Sequence, residues 1–242
     1  WNSMNMGPKR DILDGWAKAA KKHGLPLGIS FHADHAWTWY EPSQRYDVNG
    51  PKAGIYYDGK LTKEDGKGKW WEGYDPQDLY AQNHPMSDRS WANNRIHWQW
   101  AWGNGACMPT KEFVTNFYDR TLDAINRYQP DLIYFDVTVM PFDKISDCGL
   151  KIASHFYNKN PRAVMFGKVL SEEQREALTW DVERGAPNEI VKEPWQTCNC
   201  IGGWHYNTGI YERGAYKKAA DVVKQLVDIV SKNGNLLLLS LI

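Results

Sequence analysis

Asp136 closes the run Leu132, Ile133, Tyr134 and Phe135 in the stretch QPDLIYFDVTVMPF. Carboxylates are costly to bury without partners, so an acid at the end of an apolar strand marks the point where the chain leaves the core. There it can act as a nucleophile or base, cap the next turn, or pair with Lys144 or Lys168. Strand alternation puts Tyr134 on the same face as Asp136. Further acids, Asp181 and Glu183, lie in TWDVERGAP, read as a Gly/Pro-punctuated loop after the apolar run RAVMFGKV, from which they could reach over a site. Their ordinary alternative is pairing with Arg184 or Arg175. Glu193 lies in KEPWQT.

FHADHAW offers His32, Asp34 and His35. Such a group can ligate zinc or iron, but the pattern is short and common, and local hydrogen bonding or ligand contact is the preferred reading. Cys198 and Cys200 form C-x-C rather than the C-x-x-C of zinc or redox sites, with Cys107 and Cys148 far off in sequence. They read as buried thiols, and neither metal nor cofactor is expected. The chain is 14% aromatic, with 13 Trp, many in polar, Gly-rich stretches: HAWTWYEP, KGKWWEGYDP, IHWQWAWGNG and GGWHYNTG. Rings in such loops either anchor them to the body or offer flat faces to sugar rings. Trp37, Trp39, Trp70, Trp71, Trp102 and Trp204 are the candidates for the second role.

The elements that must position these groups alternate. Helical periodicity covers 8–23, 110–128, 150–157 and 215–232, with Thr110 a candidate cap and Gly24 a stop. Apolar strand-like runs cover 25–33, 131–137, 162–169, a segment within 189–197, and 235–242. Continuously apolar strands alternating with helices predict a parallel sheet. A doubly wound sheet and a (β/α)8 barrel both fit. No G-x-G-x-x-G or P-loop follows a strand, and several strands end in polar residues (His32 and Asp34, Asp136, Lys168, Gln196), as barrel enzymes require. The expectation is an α/β, TIM-type barrel occupying 1–242, with a long loop region at 34–108.

With 242 residues, 42% hydrophobic, the chain can bury a large core, and its 29 basic and 29 acidic residues cancel. No basic stripe points to nucleic acid and no apolar run is long enough for a membrane span. The chain opens on Trp1 and ends on an apolar run, and reads as an internal piece of a longer protein.

Four ordered segments resemble glycoside hydrolase family 29, the α-L-fucosidases. GPKRDILDGWAKAAKKHGLPLGISFH resembles the family's helix followed by a "GVYY"-like strand. QPDLIYFD resembles "PDLIWFDG", EPWQTCNCIGGWHY resembles "WETCxxIGxxWGY", and LVDIVSKNGNLLLLS resembles "LVDIVSKNGNLLLNIGP". The family's earlier His-His-Asp-Gly strand is not found, so the first strands of the barrel are expected to be missing.

The resemblance implies a retaining, exo-acting glycosidase that removes terminal L-fucose or a related L-sugar from a glycan. It places the nucleophile at Asp136. His32, Tyr134, Lys168, Trp195, Gln196 and Trp204 are implied as substrate contacts. Secreted, periplasmic or lysosomal localisation is implied likewise. The family's acid/base is read as the Glu of "WETC", where this chain has Gln196, and Val137 replaces the usual Gly or Asp after the nucleophile. An amide has no proton to deliver. Glu183 is therefore ranked first as the acid, Asp181 second and Glu193 third. The alternative is a sugar-binding pseudoenzyme on the same fold.

Overall fold

The computed structural model describes residues 2–34, 36, 46–55, 61–80, 109–136, 140–143 and 145–239. Helix α1, Ile12–Lys22, begins where the Asp11 side chain accepts the Asp14 N–H, and Gly24 follows at φ +64°. Strand β1 is Gly28–Phe31. Helix α2, Lys111–Tyr128, is capped by Thr110, whose hydroxyl accepts the Phe113 N–H at 3.1 Å, and ends on Gln129 in the left-handed region. Strand β2 is Leu132–Phe135 and helix α3 is Cys148–Lys159. Strand β3, Val164–Gly167, leads through the one-turn α4, Glu172–Arg175, to strand β4, Thr179–Glu183. Strand β5, Trp195–Cys200, precedes the short α5, Thr208–Glu212, the long α6, Ala219–Ser231, and strand β6, Gly234–Leu239.

The five expected strand regions are all present, and β4 is a sixth. The acids read as loop residues stand on it. Thr179, Asp181 and Glu183 alternate with Trp180 and Val182, a period-2 pattern that the Gly and Pro just beyond it obscured. The strand expected within 189–197 begins only at Trp195.

All six strands are parallel and lie in the order β1-β2-β3-β4-β5-β6. Parallel crossovers are almost always right-handed. A strand order that never reverses therefore sets successive helices against one face and curls the sheet into a half-barrel, where a doubly wound sheet reverses direction. The fold is thus α/β with barrel-type winding over these six strands. The helix-side core is built from Ile133, Phe135, Met165, Ile152, Phe156, Phe113, Phe117 and Phe142. Alternation turns Tyr134, Asp181, Gln196 and Cys198 to the other, inner face.

Candidate active site

Asp136 follows β2 directly, and its N–H bonds the Phe31 carbonyl at the end of β1. His32 is thereby its neighbour across the β1–β2 register, one step beyond the pair Phe31 and Phe135. Lys168 stands one residue past β3, and Glu183 is the last residue of β4. All four groups gather at the C-terminal ends of adjacent strands. The geometric centre is the Lys168 ammonium, whose Nζ lies 2.6 Å from Asp136 Oδ1 and 2.8 Å from Glu183 Oε2. One ammonium on both oxygens holds the two carboxyls close together, and a retaining glycosidase works with such a close carboxyl pair. Burial alone would lower the Lys168 pKa, but the hydrogen bonds to Asp136 and Glu183 outweigh it and the net shift is upward.

Beneath this pair lies a third acid. Asp181 is 1% exposed. Its Oδ2 accepts the Tyr134 hydroxyl at 2.8 Å and the Cys198 thiol at 3.2 Å, and its Oδ1 accepts the Gln196 amide at 2.9 Å. The register explains this meeting, for Asp181 lies directly opposite Gln196. Burial first, and then the bond to Asp181, pushes the Tyr134 phenol far above its ordinary range. Burial and the charge of Asp181 push the Cys198 thiol up to about 12. These groups stay protonated at neutral pH and serve as donors that fix the buried carboxyl.

The remaining sequence candidates are distributed as follows. Trp195, read as a sugar contact, is fully buried on the opposite face from Gln196. Its indole N–H donates to the Lys232 carbonyl at 2.8 Å, and its ring packs on Trp180. Neighbouring residues of a strand face opposite ways, so Trp195 and Gln196 cannot both line one site. Glu193 is exposed, pairs with Lys192 at 3.5 Å, and precedes β5, at the opposite end of that strand from Glu183's neighbour Cys198. Trp204 lies beside the acids, its indole N–H donating to Glu183 Oε1 at 3.0 Å. Trp70 is exposed, whereas Trp71 is buried against Gly66 with Lys69 over its ring. Trp37, Trp39, Trp102, His35, Lys144 and Cys107 lie outside the described residues. Among the described residues no cluster of His, Cys, Asp and Glu is arranged to hold a metal ion, and no helix is long and apolar enough to cross a membrane.

Sequence reasoning missed Cys198 as a partner of Asp181 and Arg184 as a partner of Trp204. The first follows from the β4–β5 register, which needs β4 to be seen as a strand, and the second from the turn that Arg184 makes just beyond β4.

A family model of α-L-fucosidase matches residues 1–239. The chain belongs to the α-L-fucosidase family. No curated protein matches. Among solved structures, an α-L-fucosidase shares 22% identity at a TM-score of 0.53, covering 98% of this chain and 41% of its own. A Thermotoga maritima α-L-fucosynthase holding a fucosyl-fucose azide shares 21% at 0.51, covering 98% and 40%. The Thermotoga maritima α-fucosidase with a mechanism-based inhibitor shares 21% at 0.51, covering 98% and 41%. At this identity the likeness shows the fold. The chain spans about two fifths of the length of these fucosidases.

Proposed function

We propose that this chain forms much of the active site of a retaining, exo-acting α-L-fucosidase, with Asp136 the nucleophile and Glu183 the acid/base. The observation that carries the reading is the single ammonium bridging the two carboxylates at the strand ends. Family membership and the fucosyl ligand of a structural neighbour support L-fucose as the sugar. Closure into eight strands is part of the proposal, since a glycosidase barrel places its site at the rim of the closed sheet.

In the first step an Asp136 oxygen attacks the anomeric carbon while the leaving oxygen takes a proton from Glu183, giving a glycosyl ester and the free aglycone alcohol. In the second, a water gives its proton to the Glu183 carboxylate as its oxygen displaces Asp136, releasing fucose and restoring both acids. Lys168 bridges the two carboxyls in the free site. A bound sugar moves between the acids and displaces that bridge, leaving Glu183 to act on the leaving oxygen. Asp181, pinned below, supports Tyr134 and Gln196 rather than the leaving group.

Two variants test this. Asp136→Ala should lower kcat on every fucoside by several kcal/mol of barrier, with azide partly restoring turnover of an activated substrate. Glu183→Gln should lose turnover of an alkyl fucoside by roughly 10²–10⁴-fold while sparing a 4-nitrophenyl fucoside, whose leaving group needs little protonation. Near-normal activity of Asp136→Ala removes the nucleophile assignment. An unsplit Glu183→Gln removes the acid assignment, and a parent chain that binds fucose without turning over either fucoside leaves the sugar-binding pseudoenzyme.

A further inference from the structure

Glu183 and Arg184 are consecutive, yet both reach one indole. Glu183 Oε1 accepts the Trp204 N–H at 3.0 Å. The Arg184 guanidinium lies over the Trp204 ring, 4.6 Å from its centre. Successive residues of a strand point to opposite faces, so this grip requires the chain to turn between them. Arg184 makes that turn in the left-handed region, φ 55°, with its N–H held by the Cys198 carbonyl at 2.9 Å. A non-glycine residue in that region is strained and persists only where its surroundings hold it. Arg184 is held at its far end as well, its Nη2 lying 3.4 Å from Cys200 Sγ, and that thiol donates to the Gly202 carbonyl at 3.2 Å. The loop that carries Trp204 is thus tied to the end of β5 beside the ring it presents.

We propose that Trp204 is a positioning residue for Glu183, its N–H fixing one carboxyl oxygen while Lys168 holds the other. This rests on the reading of Glu183 as the acid/base. The two oxygens of Glu183 then have separate donors, Trp204 on Oε1 and Lys168 on Oε2. Release of Lys168 by a bound sugar frees Oε2 for the proton, while the indole keeps the carboxyl plane aimed at the leaving oxygen. Phenylalanine at this position would keep a smaller ring to stack on Arg184 but could not donate.

The experiment compares Trp204→Phe with the parent full chain on an alkyl and a 2,4-dinitrophenyl α-L-fucoside. The charged and titratable groups around Glu183 are His32 beyond β1, Asp136 and Lys168 beyond β2 and β3, Asp181 on β4, Arg184, Tyr134 on β2 and Cys198 on β5. The substitution alters none of them. At each enzyme's own optimum, alkyl turnover should fall about tenfold to a hundredfold, and dinitrophenyl turnover by less than about threefold. Equal losses on both substrates would mean the ring merely packs, and would overturn the proposal. So would a variant indistinguishable from the parent. Benzothienylalanine at position 204, which replaces the N–H by sulfur at the same shape, repeats the comparison if Trp204→Phe does not fold. Glu183→Gln separates the two levels. A split with Glu183→Gln but none at position 204 rejects the positioning role alone, while no split with Glu183→Gln rejects the acid assignment beneath it.

Discussion

Gln196 shows how a single contact fixes the reading of a residue. An amide in the place read as the family's acid suggests lost catalysis, and restoring the carboxylate suggests itself as a repair. The structure gives that amide another task, for its N–H donates to the buried Asp181 at 2.9 Å. Gln196→Glu would face one carboxyl with another where water is excluded. The pair would then share a proton, and one carboxyl's folded pKa would rise above its unfolded value near 4. Stability from such a group is fully present below the unfolded pKa and is lost as pH rises through the folded one. The Tm of Gln196→Glu should therefore match the parent's near pH 4 and fall progressively below it toward pH 7, with no gain in fucoside turnover. A Tm gap that narrows with rising pH, or restored activity, would contradict this placement of Gln196.

At the scale of elements, the join between β5 and β6 depends on a missing side chain. A Cβ on Gly234 would lie 2.5 Å from Cε2 and Cζ2 of Trp195 and 2.9 Å from Ile229 Cγ2. Trp195 cannot retreat, since its ring is fully buried and its N–H is bonded to the Lys232 carbonyl. Glycine at 234 lets α6 hand the chain to β6 directly over the indole. Gly234→Ala should cost about 1–3 kcal/mol by overpacking, read as a lowered denaturant midpoint with an unchanged slope. It should reach the active site only indirectly, through Gln196 on the same strand as Trp195. An unchanged midpoint would show that the Trp195 pocket has room to yield.

Over the whole molecule, the protonated donors around Asp181 tie the fold to pH. The Cys198 thiol rises from an ordinary 9.0 to about 12, as does Cys148 through burial, and the Tyr134 phenol moves well above its ordinary 10.0. Each folded pKa exceeds its unfolded value, so the stability they contribute is intact below pH 9 and is lost as pH rises beyond it. Thermal unfolding followed from pH 7 to 11 should show a falling Tm that begins near 9, with a shallower fall in Cys198→Ser. A flat curve to pH 11 would mean these groups ionise in the folded state. The sequence by itself determined the alternation of helices and strands, the Thr110 cap, the strand ending at Asp136 and the family. Each is a local pattern of apolar spacing or a short ordered motif, legible without knowing what packs on what. It also ranked Glu183 above Asp181, though on loop grounds that the fold replaced. The tertiary structure decided that β4 exists, that Asp181 lies buried under three donors, that Trp195 faces the helices, and that Lys168 joins Asp136 to Glu183 across 47 residues of chain. Those facts depend on strand register and order, which a one-residue slip would reverse from one face to the other. No run of residues in one segment carries that information.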